Sequence, residues 1–87
     1  MEELITVIVP VYNVEDFIDM CLDSLSKQTY KLFEVLMVND GSTDNSGTIC
    51  KEYAVRDSRF HYLEKENGGL SDARNFGLEH SKGAYIT

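Results

Sequence analysis

The sequence predicts a three-layer α/β/α domain, Rossmann-like, with a mainly parallel sheet and the element order βαβαβαβ. Three observations carry this. Apolar, β-branched runs recur at intervals that leave room for a helix between them. The first intervening segment has an apolar stripe of helical period. Polar loops follow directly on the apolar runs, at what would be the carboxyl ends of parallel strands, where ligands bind in open α/β sheets.

Ile5-Thr6-Val7-Ile8-Val9 is β-branched throughout and reads as a strand buried on both faces, stopped by Pro10, the only proline. Val14, Phe17, Ile18, Cys21, Leu22 and Leu25 then fall at i, i+3, i+4, i+7, i+8 and i+11. This predicts a helix over 14–27, with Asn13 as N-cap and Asp16 in its first turn. Phe33-Glu34-Val35-Leu36-Met37-Val38 repeats the strand signal, and turn residues over 39–43 close it. A second helix over 44–56, capped by Thr43 or Asp44, buries Ile49, Cys50 and Tyr53. Residues 60–64 form a third strand, 70–80 a third helix stopped by Gly83, and 84–87 the start of a fourth strand.

A chain of 87 residues has room for one small domain, and neither repeat nor linker divides it. The open sheet would leave an edge uncovered, so 1–87 reads as part of a longer protein, with pairing of copies through that edge as a further outcome. Eight basic against fifteen acidic residues leave a net charge of −7, which excludes the broad basic footprint of a nucleic-acid binder. Any anionic ligand must be held locally, by backbone N–H groups, a placed arginine or a divalent cation. Cys21 and Cys50 lack redox or zinc spacing and are expected to be buried free thiols of a reducing compartment. The first residues resemble neither a signal peptide nor a membrane span, so the expectation is a cytoplasmic protein.

The turn after the first strand, Pro10-Val11-Tyr12-Asn13-Val14-Glu15, has none of the glycines a dinucleotide pyrophosphate needs, and no P-loop is present. Tyr12 there either lies against a base or packs the loop. Asp40-Gly41-Ser42-Thr43-Asp44 fails as a calcium loop, because its glycine is second and Lys51 stands at position twelve. Asp40 and Ser42 are turn formers, or Asp40 accepts a hydrogen bond from a ligand N–H such as a uracil imide. Gly68-Gly69 lets backbone approach a ligand, and Arg74 either forks onto a phosphate or pairs with Asp72, Glu79 or Asp40. His61 and His80 have no partner at metal-ligand spacing, and no serine or cysteine sits in a nucleophile pattern.

Together, Val7-Ile8-Val9-Pro10-Val11-Tyr12-Asn13, Asn39-Asp40-Gly41-Ser42-Thr43-Asp44, Asn67-Gly68-Gly69-Leu70-Ser71-Asp72-Ala73-Arg74-Asn75-Phe76-Gly77 and Gly83-Ala84-Tyr85-Ile86-Thr87 resemble the opening of a family 2 glycosyltransferase of the GT-A fold. The resemblance implies transfer of a sugar from a nucleotide donor, a UDP-sugar most often, to a saccharide or lipid-linked acceptor in making cell-surface polysaccharide. It implies that Pro10, Tyr12 and Glu15 line the nucleoside pocket, that Asp40 contacts uracil, and that Gly69 and Arg74 border base and diphosphate. The expected nucleotide-binding set is Pro10, Val11, Tyr12, Asn13 and Glu15 from the first loop, Asp40, Gly41 and Ser42 from the second, and Gly68, Gly69 and Arg74 from the third. Asn39 departs from relatives, many of which have aspartate there.

The resemblance also implies magnesium or manganese in the full-length enzyme, whose Asp-x-Asp metal motif, acceptor pocket and catalytic base this chain lacks. The expectation is the N-terminal, nucleotide-sugar-binding part of a longer glycosyltransferase. It would bind nucleotide without metal or catalytic residues of its own, at the inner face of the membrane in the full-length protein. A non-catalytic nucleotide-binding or interaction module is the alternative.

Overall fold

A computed structural model describes residues 4–28, 32–83 and, for the backbone only, 85–86. Four parallel strands, β1 (Ile5–Val11), β2 (Phe33–Asp40), β3 (Phe60–Lys65) and β4 (Tyr85–Ile86), stand in the order β3-β2-β1-β4. Between them run α1 (Glu15–Ser26), α2 (Ser46–Arg56) and α3 (Leu70–His80). The predicted βαβαβαβ order and three-layer architecture are those observed. Of the fourth predicted strand, Ala84 and Thr87 lie outside the described residues.

The layering follows from the strand order. The steps β1 to β2 and β2 to β3 move in one direction across the sheet, and the step to β4 reverses. Right-handed crossovers then put α1 and α2 on one face and α3 on the other. The larger core lies under α1 and α2, where Ile18, Leu22, Cys50 and Tyr53 meet Val11, Phe33, Val35, Met37 and Phe60. The Tyr53 hydroxyl also reaches the Asp19 carboxylate at 3.0 Å, joining the two helices. Under α3 the core is smaller, built from Ile8, Val38 and Ala73. There α3 comes close to β1: a Cβ at Gly77 would stand 2.8 Å from Ile8 Cγ2, so glycine is what this contact admits.

Every residue of β2 is buried, as a strand covered on both faces requires. The strand β1 departs from expectation twice. It passes through Pro10 to Val11, because Ile5 donates its N–H to Leu32, and alternation then turns the N–H positions of Thr6, Ile8 and Pro10 away from β2. The Pro10 nitrogen therefore lies on the side away from β2, and the ladder with β2 loses no donor there; the described residues of β4 pair with Ile5 and Thr6. Nor is β1 buried throughout: Ile5, Val7, Val9 and Pro10 border an apolar groove of about 610 Å³ between β1 and α1.

The stripe on α1 is wider than its contact. Ile18 and Leu22 are buried, while Phe17 is 68% exposed and Cys21 is exposed, so only Cys50 is the buried thiol expected of both. Burial pushes the Cys50 thiol up to about 12, which leaves it protonated and inert at neutral pH. Asn13 does not cap α1. It takes a left-handed backbone (φ 50°), Val14 is the N-cap residue, and the Asn13 side chain serves the second loop instead.

At the end of the sheet remote from the loops, the Thr6 hydroxyl donates to Glu34 at 2.6 Å and accepts from the Gly83 N–H, and Glu34 also accepts from the Lys82 N–H at 2.7 Å. Burial works to raise the Glu34 carboxyl, but these donors outweigh it and hold it below its usual range. Its contribution to stability is therefore complete at neutral pH and is lost as pH falls through the lowered value. Thr6→Val should cost about 1–3 kcal/mol at pH 7 by taking one donor from the carboxylate, which keeps the Lys82 N–H, and by stranding the Gly83 N–H. The variant's acid unfolding should begin at higher pH than the wild type's, which urea titrations at pH 7 and 4 would measure.

Candidate functional site: a cleft at the carboxyl ends of β1 and β2

The ends of β1 and β2 and the start of α3 enclose a cleft of about 410 Å³. Pro10, Val11, Tyr12 and Val14 line one side, Asn67, Gly69, Leu70 and Ala73 the other, and Asp40 lies between them. Tyr12 is 50% and Leu70 59% exposed, so both present apolar surface to whatever enters.

Asp40 is 3% exposed, and its carboxylate is crowded with donors. Oδ1 accepts from Lys65 Nζ and from the Gly68 N–H, each at 2.9 Å, and Oδ2 accepts from the Gly69 N–H at 2.9 Å. Asn67 Nδ2 donates to the Asp40 carbonyl at 3.0 Å and stands 3.5 Å from Oδ2. The Lys65 hydrogen bond, seconded by the two glycine N–H groups, holds the Asp40 carboxyl below its ordinary value against the opposing effect of burial. The third loop is thus anchored to the end of β2. Gly69 closes it at φ 95°, a conformation that glycine alone adopts freely, with open space where a Cβ would be.

The first and second loops are fastened to each other. Ser42 Oγ accepts from the Asn13 N–H at 3.1 Å, Ser46 Oγ from Val14 at 2.9 Å, and Asp44 Oδ2 from Glu15 at 3.1 Å. In return Asn13 Oδ1 accepts from the Thr43 N–H at 2.8 Å, and Glu15 accepts from Asn45 Nδ2 at 3.2 Å. Asp44 also receives the Ser46 N–H at 2.9 Å, so one carboxylate holds the opening N–H groups of both α1 and α2. Burial raises the Asp44 carboxyl, but the Ser46 and Glu15 donors bring it below its usual range. α2 begins at Ser46 with Asn45 as its N-cap residue, so the capping bond of the predicted 44–56 helix comes from Asp44, just outside it.

The expected nucleotide-binding positions therefore fall into three groups. Pro10, Val11, Tyr12, Asp40 and Gly69 line the cleft. Asn13, Glu15, Ser42 and Gly68 shape it through the hydrogen bonds above, and Gly41, at φ 75°, packs so closely on Asn67 that a Cβ would meet its N at 2.9 Å. Arg74 lies on the exposed surface of α3, outside the cleft lining and without an ion-pair partner among the described residues. The sequence reading missed Lys65, and the lining roles of Val14, Asn67, Leu70 and Ala73. A lone lysine has no motif, but parallel register puts Lys65 opposite Asp40, which would have revealed it.

Asn39 has its own circuit. Its Oδ1 accepts from the Ser42 N–H at 2.9 Å, and its Nδ2 donates at 2.9 Å to Tyr62, whose hydroxyl donates to Glu64 at 2.6 Å. A carboxylate at 39 could not donate to that hydroxyl. Among the described residues no three His, Cys, Asp or Glu side chains converge as metal ligands.

The family model described as glycosyl transferase family 2 matches residues 6–87. The chain belongs to that family. It is 58% identical over 87 residues to the glycosyltransferase GlyA of Streptococcus pneumoniae, covering 100% of this chain and 12% of that protein. It is 50% identical to EpsJ of Bacillus subtilis, an uncharacterized glycosyltransferase, covering 99% of this chain and 25% of that one. The chain thus spans a quarter or less of the length of these two family 2 relatives. Among solved structures it is similar to the mannosyltransferase PcManGT of Pyrobaculum calidifontis in complex with GDP-Man and Mn2+. The TM-score is 0.90 at 30% identity, over 99% of this chain and 26% of that one. A second, Staphylococcus aureus TarS 1-349, gives 0.87 at 34%, over 95% and 26%. The GT-A architecture expected of a family 2 member is the one observed.

Asp44→Ala should cost about 1–2 kcal/mol, because it frees the opening N–H groups of two helices at once. Asp44→Asn, which keeps one acceptor oxygen, should lose less, as denaturant unfolding of the two variants side by side would show.

Proposed function

We propose that this chain is the donor-nucleotide-binding part of a family 2 glycosyltransferase. That enzyme would transfer a sugar from a UDP-sugar to a saccharide or lipid-linked acceptor in cell-surface polysaccharide synthesis. The cleft carries the reading: an aromatic and an aliphatic wall, Tyr12 and Leu70, flank a buried carboxylate at the carboxyl ends of two parallel strands. A base can lie between those walls, and Asp40 can accept from an imide N–H if the ligand takes the place of the 3.5 Å contact from Asn67. The PcManGT complex, with GDP-Man and Mn2+, supports a nucleotide-sugar donor and a divalent metal for the full-length protein, magnesium or manganese being supplied with ligands outside this chain. On this reading the 87 residues bind nucleotide without turning it over. Among the described residues no helix is long and apolar enough to cross a membrane, and the proposed location is cytoplasmic, at the inner face of the membrane in the full-length protein.

Calorimetric titration of the chain with UDP and with GDP, each with and without manganese, tests the reading. UDP should bind more tightly than GDP and indifferently to metal, and Tyr12→Ala should weaken it about fivefold or more, the loss of one stacked base at about 1 kcal/mol. Binding of neither nucleotide would overturn the nucleotide reading, tighter binding of GDP would overturn its UDP part, and sugar transfer by the chain alone would overturn the claim that it does not turn over.

A further inference from the structure

Lys65, which no motif marks, stands directly behind the cleft's buried carboxylate. Its side chain is 12% exposed, and its ammonium donates to Asp40 Oδ1 at 2.9 Å, to Asp72 Oδ2 at 2.6 Å and to the Glu66 carbonyl, which uses all three of its protons. Asp40 belongs to β2, Lys65 to the end of β3 and Asp72 to the first turn of α3, so one cation links two strands and a helix around the glycine turn. A side chain at Gly68 would meet Asp72 and stand 3.0 Å from Lys65 Nζ, so these two side-chain ends would have to shift to admit it. Without Lys65, Asp40 and Asp72 would be like charges beside one turn, and Asp40 would keep only the glycine N–H groups and the distant Asn67.

We propose that Lys65 is a positioning residue for the nucleotide site: it sets the Asp40 carboxylate and, through it, the Gly68-Gly69 turn in the geometry that receives the base. Lys65 does not line the cleft and so acts through Asp40 and not on the ligand. The inference rests on the nucleotide reading above for its ligand but not for its geometry, and the two are separable. The charged groups facing Asp40 are Lys65 from β3 and, beyond it, Asp72 from α3. From β1 and its loop, Tyr12 is the one titratable side chain among the described residues that line the cleft.

The test follows the Gly68 and Gly69 amide resonances of the 87-residue chain through an acid titration and by hydrogen exchange, alongside calorimetry with UDP. In the wild type both amides should report a carboxyl ionising below the ordinary 3.8 and should exchange slowly. In Lys65→Met that titration should move upward, exchange at the two glycines should quicken about tenfold or more while Val35 and Met37 stay protected, and UDP affinity should fall about tenfold. Lys65→Arg, which keeps the charge, should recover most of the affinity, a rescue that a merely space-filling role would not predict. Should Lys65→Met fail to fold, Asp72→Asn carries the test: Asp72 is largely exposed, and the variant should loosen the turn and shift the titration in part. Unchanged glycine signals and unchanged UDP affinity in these variants would overturn the proposal while leaving the nucleotide reading intact. Absence of UDP binding by the wild type would overturn that reading and, with it, the ligand part of this one.

Discussion

A carboxylate at the end of a strand buried along its whole length has to be met by donors, and at Asp40 the donors come from far along the chain. The Gly68 and Gly69 N–H groups lie 28 and 29 residues on, and the Lys65 ammonium 25. The buried charge therefore organises its surroundings. It demands that β3 end with its lysine in register, that the chain turn at once to point two N–H groups back at β2, and that the turning residue accept φ 95° before α3 begins. The start of α3, one wall of the cleft, is placed by that demand, and Gly77 then lets the helix settle onto Ile8.

The other wall is placed independently. The loops after β1 and β2 satisfy each other through Asn13, Ser42, Asp44 and Ser46, and in doing so they use the leading N–H groups of α1 and α2. Those groups are the ones that would otherwise favour an anion at a helix start, and Asp44 adds a negative charge beside them. On the proposed reading this leaves the first two loops to the nucleoside and directs the diphosphate toward the third loop and α3. The division agrees with the apolar character of Tyr12 and with Arg74, whose guanidinium has no ion-pair partner among the described residues.

Element order and type were legible in the sequence because they depend on local pattern: β-branched runs, one strong apolar stripe, and glycine at loop positions. The third helix begins and ends where 70–80 placed it. What was not legible depended on neighbours. Pro10 reads as a stop unless the alternation that turns its nitrogen away from β2 is known. Asn13 reads as a helix cap unless Thr43 is known to need an acceptor. Phe17 and Cys21 read as core because periodicity reports a stripe and says nothing of how wide a surface receives it. In the site, motif residues were found but their division into lining and shaping was not, since residues of one loop look alike in sequence whether they face the cleft or the adjacent loop. Lys65 escaped for the same reason: its meaning lies in a register.

Register also answers how, on the proposed reading, a chain with a net charge of −7 could present a cleft to an anionic ligand. Total charge matters less than which charges are already met. Around the cleft Asp40 is tied to Lys65 and two backbone donors, Asp72 shares that lysine, and Asp44 is bound by N–H groups of both helices. At the far end of the sheet Glu34 is met by Thr6 and Lys82. Each of these carboxylates has its field spent at short range, where Coulomb attraction is strongest and least screened. Arg74, without an ion-pair partner among the described residues, keeps its charge to offer. On the proposed reading an acidic surface and an anion site coexist because the carboxylates nearest the site have been given their partners by the fold.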